Sequence, residues 1–390
     1  MSAWGNLLHT ERMRHIQLSY ALQDEPARTT AIHNDLMALL LAVRTQGSIA
    51  RAAHALSLSY RHVWGALKQW EASLGQPLVV WERGQAAQLT AFADKLLWTE
   101  QLAQARLAPH IQTLRAELER TLALAFDPQA HVLSLHASHD DALPKLQAHA
   151  AQHARLHLDI RYGGSMEALR ALNDGRCSLA GFHCRTAATP DSLTARTYQP
   201  LLQPGRHKLI GFARRHQGLM VAAGNPLRIT GLGCIAQRGL HFVNRAPGAG
   251  TRVLLDELLQ TAQVRSTDLI KGYEECEPSH SAVALAVASG QADAGLGTES
   301  AARAQGLGFV PLAVEHYYLV CLKAVVDQPS VQALRAVLAE SGWQDIVGAL
   351  PGYEPESSGM VLPLRRALPW WPALGRQAAP PRRRAISLTS

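Results

Sequence analysis

The chain has 390 residues, enough for two or three domains with ample cores. Its net charge of +7 invites a nucleic-acid partner, but the excess is badly placed for that reading. Residues 361–390 hold 6 basic and 0 acidic residues, against 12 and 11 in residues 1–130 and 20 and 20 in residues 131–360. Nothing approaches 18 uninterrupted apolar residues, which argues against a membrane span. The opening MSAWGNLLHTERMRH lacks the apolar core and cleavage pattern of a secretory signal. The cysteines (177, 184, 234, 276 and 321) form no CxxC pair and are odd in number. They read as reduced structural thiols of a cytosolic protein, with no metal; ligation by Cys177, Cys184 and His183 is the alternative.

Residues 1–30 form a variable extension ending near Pro26, and His33–Gln46 reads as an amphipathic helix. The most informative stretch is GSIARAAHALSLSYRHVWGALKQWEASLGQPLVVWERGQAAQLT, residues 47–90. Ser48 can cap a short helix in which Ala52 and Ala53 allow a second helix to cross closely, and Ser59 can cap that second helix. Val63, Leu67 and Trp70 recur at i, i+4 and i+7 and should face inward. Tyr60, Arg61 and Lys68 are then left outside, in the geometry of a recognition helix entering the major groove. The local surface is weakly basic: Arg51, Arg61, Lys68 and Arg83 against Glu71 and Glu82. Its DNA binding should therefore be modest per monomer and sensitive to salt.

GS-x4-AA-x2-L, the later LG-x-PL and LT resemble the winged helix of LysR-type transcriptional regulators. SYRHVWGAL is similar to the recognition helix of molybdate-responsive regulators, which carry Ser-Tyr-basic-x-x-Trp. The resemblance covers residues 33–125 and implies a 31–90 winged helix-turn-helix that binds double-stranded operator DNA. Its contact set is Ser48, Arg51, Ser59, Tyr60, Arg61, His62, Trp64, Lys68 and Arg83. One departure is clear: the family's usual Phe-x-Arg after Pro-Leu is absent, because Pro77-Leu78 leads to VVWERG.

Residues 91–125 read as a linker helix. Leu107, Ile111, Leu114, Leu118 and Leu122 make an apolar stripe that wants a partner helix, and the resemblance makes that partner a second subunit of a homodimer or homotetramer. Packing on the chain's own core is the alternative. Pro109 interrupts the stripe, as a kink or as the first turn of a separate helix.

From His131 the texture alternates. HVLSLHAS, LHLDIRYG and CSLAGFHC read as strands, DALPKLQAHAAQH and SMEALRALNDG as helices, and the same order continues to ADAGLGT. Parallel strands with helical crossovers, in two units joined by hinge strands, make a two-lobed α/β domain over 131–355. The class of the whole chain is α + α/β. Residues 361–390 read as a basic tail, disordered over its last dozen residues.

Four Ser/Gly-bearing turns lie at strand ends: ASHD (137–140), YGGSM (162–166), NRAPGAGTR (244–252) and PSHSAV (278–283). Helix N-termini offer free N–H donors to an anion, and in open α/β sheets the ligand lies where such turns gather. PGAGTR has no lysine at the position a nucleotide-binding loop needs. No HExxH, no GxSxG and no nucleophile–base pair points to an enzyme. Arg245 and Arg252 either pair with an anion or with Asp256 and Glu257. His280 either donates to an oxyanion or caps a helix, and Tyr317 either closes the cleft or packs in the core.

The order of these turns resembles the type II periplasmic-binding fold, and in particular the molybdate-binding-like domain fused to helix-turn-helix regulators. The matching stretches are NRAPGAGTRVLLDELL, EPSHSAVALAVASGQADAGLG and GLGFVPLAVEHYYLV. The family's Gly-Ser-Gly-Thr-Arg is Gly-Ala-Gly-Thr-Arg here, with Ala249 in place of the serine. The resemblance implies no cofactor but a small anionic effector: molybdate, tungstate, a molybdenum–pterin species or a carboxylate such as formate. The implied contacts are Ser138, His139, Gly164, Ser165, Asn244, Arg245, Gly248, Gly250, Thr251, Arg252, Ser279, His280, Ser281 and Tyr317.

Overall fold

The structure is a computed structural model that describes residues 34–80, 86–127, 129–264 and 269–371. The chain divides into two compact units at Glu100–Gln101. The N-terminal extension, the wing tip with Arg83, and residues 372–390 of the basic tail lie outside the described residues.

In the first unit, α1 (Asp35–Gln46), α2 (Ile49–Ala55) and α3 (Tyr60–Leu74) follow one another with side-chain caps from Asn34, Ser48 and Ser59. Gly47 closes α1 in the left-handed region at φ 58°, which glycine adopts without a Cβ penalty. Ser57 takes the same region in the turn between α2 and α3. Leu36, Leu40, Val43, Ala52, Ala53, Val63 and Leu67 form one core. Trp70 departs from the expected inward face. One turn beyond the buried Val63 and Leu67 it is 37% exposed, although Leu74 still packs on that core. β1 (Val79–Val80) and β2 (Gln88–Leu89) pair antiparallel as the base of a wing.

Helix α4 (Ala91–Phe126) is one continuous element with Pro109 inside it, not a helix followed by a second one. The Thr113 hydroxyl donates to the Pro109 carbonyl at 2.9 Å. Leu107, Leu114, Leu118 and Leu122 of the stripe are all exposed.

The second unit holds β3 (His131–Ala137), β4 (Leu156–Tyr162), β5 (Leu179–Arg185), β6 (His207–Val221), β7 (Phe242–Arg245), β8 (Cys276–Glu277), β9 (Ala294–Thr298) and β10 (Gly308–Leu322). Their spatial order is β4-β3-β5-β10-β6-β9-β7-β8. β3, β4 and β5 run parallel in one lobe, and β7, β8 and β9 run parallel in the other. The 15-residue strands β6 and β10 pair antiparallel with each other and join the two lobes. Helices Ala142–Ala154, Pro329–Ala339 and Ser341–Gly348 cover the first lobe, and Leu232–Arg238 and Gly250–Thr261 pack in the core of the second. The crossovers place the turns after β3, β4, β7 and β8 at carboxyl ends of strands, where this class of sheet collects its ligands.

β11 (Tyr353–Pro355) and β12 (Val361–Leu362) return to pair with β6. Leu364, Leu368 and Trp370 are buried in the core that includes Phe182 and Tyr198. The folded chain therefore extends to at least residue 371, eleven residues into the expected basic tail. Leucine and tryptophan anchors, not the neighbouring arginines, decide its fate there.

Candidate functional site

The first turn of α3 presents Tyr60, Arg61 and His62 to solvent. Ser59 spends its hydroxyl capping His62 N at 3.1 Å, and Ser48 caps Arg51 N at 3.5 Å. Trp64 stacks on Tyr60, with ring centroids 6.4 Å apart. The Lys68 ammonium sits 4.8 Å above the Trp64 ring and 2.7 Å from Glu71 Oε2. The other Glu71 oxygen accepts from Leu78 N at 2.8 Å. One carboxylate thus ties the helix to the start of the wing. Arg51 and Arg61 are both exposed. An exposed helix whose N-terminal turn carries an arginine, a tyrosine and a histidine can read base edges while Lys68 meets phosphate.

In the second unit the four turns converge on a buried polar cluster. Ser138 and Ser165 are buried, with hydroxyls 3.3 Å apart. Gly164 faces Gly248 across the lobes so closely that a Cβ on Gly164 would stand 2.4 Å from the Gly248 carbonyl oxygen. A Cβ on Gly250 would come 3.3 Å from both Ser165 Oγ and the Tyr198 hydroxyl. These glycines serve close approach of backbone to backbone and to hydroxyls.

Arg245, His139, His183, His280 and Tyr317 are all buried. Each carries side-chain atoms with no hydrogen-bond partner among the described residues: Nε and Nη1 of Arg245, both ring nitrogens of His139, Nε2 of His183, Nδ1 of His280 and the Tyr317 hydroxyl. Native interiors rarely leave such groups unsatisfied, so their convergence marks a place built for a ligand. The remaining Arg245 nitrogen, Nη2, donates to the Pro278 carbonyl at 2.9 Å and fixes the guanidinium. The His183 ring lies 3.9 Å from the Tyr317 ring, centroid to centroid.

Beneath them is an ion network at the midpoint of the hinge strands. Arg215 on β6 pairs in register with Glu315 on β10, Nη2 to Oε2 at 3.0 Å, and also binds Asp140. Gln217 donates to Glu315 at 2.9 Å and the Tyr353 hydroxyl to Asp140 at 2.8 Å. Both carboxylates are thereby committed, whereas Arg245 pairs with no carboxylate among the described residues. Burial, then the charge of Arg215, lowers the Arg245 guanidinium to about 10, still cationic at neutral pH. Burial first, then the nearby guanidiniums, holds His183 and His280 well below the ordinary imidazole range. Burial and Arg245 bring His139 down to about 4.

Beside the cluster, a cavity of about 370 Å³ is lined by His139, Asp141, Lys145, Ser279, Ser281 and Ser300, with Ala105, Ala108 and Gln112 of α4 on its other side. Burial and the neighbouring Asp140 raise the Asp141 carboxyl to about 6.

Residues 34–94 match the bacterial regulatory helix-turn-helix proteins of the lysR family, and residues 146–339 match the PBP superfamily domain. The chain is 33% identical over 222 residues to the uncharacterized protein YvgK of Bacillus subtilis, spanning 57% of this chain and 70% of that one. The chain belongs to the family of YvgK and is a LysR-type transcriptional regulator with a PBP-like effector domain. It is also 30% identical over 111 residues to an uncharacterized protein of the ferredoxin 2Fe-2S gene 5′ region of Clostridium pasteurianum, 28% of this chain and 97% of that one. Solved structures similar to the regulator include a cysteine mutant of Corynebacterium glutamicum OxyR, at 16% identity and TM-score 0.39, covering 77% of this chain and 88% of that one. A point mutant of full-length BenM is similar at 15% identity and TM-score 0.40, covering 82% and 98%. Among the described residues, no helix is long and apolar enough to cross a membrane.

The regulator's site departs from the sequence expectation at several positions. Arg252 points away from the cluster. Its guanidinium lies 3.8 Å from the Tyr273 ring centroid, donates to the Tyr273 carbonyl and reaches Asp256 and Glu274. It takes the salt-bridge alternative, which leaves Arg245 as the one of the two arginines that faces the cluster. Asn244 spends its amide on the Tyr273 carbonyl and on Arg245 N. Ser279 caps its helix at Ala282 N. The sequence expectation omits Asp140, Arg215, Glu315 and Tyr198, and holds His183 only as a metal ligand. The doublet Arg214-Arg215 inside an apolar strand is the one available signal.

Proposed function

We propose that the regulator is a cytoplasmic, dimeric DNA-binding protein whose two-lobed domain captures a small oxyanion as effector. The observation that carries this reading is Arg245: a buried cation with two unsatisfied donors and no paired carboxylate among the described residues, beside three imidazoles that each hold a nitrogen without a hydrogen bond and beside a tyrosine hydroxyl. Charge-assisted donors in a desolvated site hold carboxylates and tetrahedral oxyanions strongly. Molybdate and tungstate suit the hydroxyl-bearing turns of Ser138, Ser165 and Thr251, and a small carboxylate such as formate uses the same guanidinium. The anion bridges the turns after β3 and β4 to those after β7 and β8, and so favours one arrangement of the lobes about β6 and β10. A ligand with different affinity for two arrangements shifts their populations, and through them the DNA-bound state.

Dimerisation through α4 is supported by Leu107, Leu114, Leu118 and Leu122, exposed on one helix at heptad-like spacing. The test of the effector is calorimetric and thermal-shift titration of the full chain with molybdate, tungstate, sulfate and formate. Binding of at least one, weakened at least tenfold in Arg245→Gln, supports the reading. No heat and no thermal stabilisation from any of the four would overturn it.

A further inference from the structure

The charges in the cluster already balance before an anion arrives. Asp140 and Glu315 contribute two negative charges, Arg215 and Arg245 two positive ones, and all four side chains are at most 3% exposed. An added oxyanion would bring an uncompensated charge into a low-dielectric interior, which is costly unless a matching positive charge forms with it. His139 is the group placed to supply that charge. Both of its ring nitrogens are unpartnered, it is 8% exposed, and it stands in the wall of the cavity beside α4.

We infer that oxyanion capture at this site takes up a proton on the His139 imidazole. The inference rests on the effector reading above. The proton comes from solvent buffer by way of the cavity. An N–H bond forms at the free ring nitrogen, the ring becomes a cation with two donors, and no bond in the oxyanion breaks.

The surroundings explain why the ring waits for the anion. From β7 the Arg245 charge opposes protonation, while Asp140 in its own loop favours it. Tyr162, from the end of β4, packs its ring 5.1 Å away and stays a neutral phenol. His280 at the start of the next helix feels the same positive field. Asp141 and Lys145 share the cavity wall. Burial outweighs all of these and keeps the free imidazole neutral at physiological pH. A bound anion adds the missing attraction, since an opposite charge within a few ångströms favours the charged form.

The experiment is calorimetry of the full chain with sodium formate and sodium molybdate at pH 6.0, in two buffers of different ionisation enthalpy, followed by titrations between pH 6 and 8. The expected result is uptake of about half a proton or more per bound anion at pH 6.0, with affinity tightening about three- to tenfold from pH 8 to pH 6. His139→Gln should abolish the uptake and flatten that dependence. Asp141→Asn, which removes the other nearby group titrating in this range, should retain both. Anion binding with no buffer-dependent heat overturns this inference and leaves the effector reading standing, as does uptake that survives in His139→Gln. Absence of any anion binding overturns both. A wild type that binds anion without proton uptake overturns the inference with no variant needed, and His139→Asn replaces His139→Gln if the latter fails to fold.

Discussion

Arg106 of α4 holds Glu277 at the end of β8 through three contacts, Nη2 to Oε1 at 2.5 Å and Nε to Oε2 and Oε1 at 2.9 and 3.2 Å. Glu277 lies three residues before His280, and Ser279 between them reaches the Ala105 carbonyl at 3.4 Å. The linker helix and a histidine of the buried cluster are therefore fastened to the same short segment.

That fastening predicts a coupling phenotype. Arg106→Ala leaves a buried carboxylate without its partner and should cost about 1–3 kcal/mol of stability, read by urea denaturation. Glu277→Gln on top of it should recover part of the loss, because the orphaned charge is gone. Simple additivity of the two substitutions in the double-mutant cycle would show that they do not interact.

Arg61→Ala should weaken operator binding by about 1–3 kcal/mol in gel-shift titration if the exposed first turn of α3 reads a base edge. Lys68→Ala should weaken operator and random DNA to similar degrees, since its ammonium lies over Trp64, away from the helix N-terminus. Unchanged operator affinity for Arg61→Ala would mean that another face of the motif meets DNA.

Leu114 and Leu118 are 53% and 41% exposed on α4. Replacing both with Glu should leave the unit cores intact and yield a monomer in analytical ultracentrifugation, with operator binding lost. A folded variant that still sediments as a dimer places the subunit contact elsewhere.

Gly164→Ala tests the approach of the two lobes. The backbone there is ordinary, at φ −71°, so the added methyl acts only through its clash with the Gly248 carbonyl. Anion affinity should fall at least tenfold while operator binding without effector stays within twofold. Unaltered anion affinity would mean that the lobes need not meet at these turns.

Asp141 offers a pH-dependent test of stability. Its carboxyl is raised to about 6 by burial and by Asp140, above its unfolded value, so ionising it penalises the folded state. Asp141→Asn should therefore add about 1–2 kcal/mol at pH 7.5, with the gain shrinking as pH falls from 6 toward 4, where the native carboxyl is neutral as well. A gain independent of pH would assign the effect to packing.

Local signals make the DNA-binding half legible. Ser48, Ser59 and the left-handed Gly47 each act within four residues of themselves, and sequence shows that range directly. The positions of the four turns are legible for the same reason, because each follows a strand and opens a helix. Arg215 with Glu315 and Asp140 is not, since those partners lie 100 and 75 positions away and only the hinge register brings them together. Arg252 misleads because an arginine following a glycine turn looks alike whether it faces a ligand or an aromatic ring. Trp70 misleads because helical period gives the direction of a side chain but not how far the neighbouring helices extend to cover it.

The return of β11 and β12 to β6 has a consequence for the order of events during synthesis. Glu354 pairs with Arg214 across 140 positions of chain, so the hinge strand gains these neighbours only after residues 353–362 have been synthesised. Helices α1, α2 and α3 depend on near neighbours and can fold as soon as they emerge, as local contacts do. A nascent regulator therefore possesses its DNA-reading surface before it possesses a finished sensor, and chains released early would occupy operators deaf to the effector.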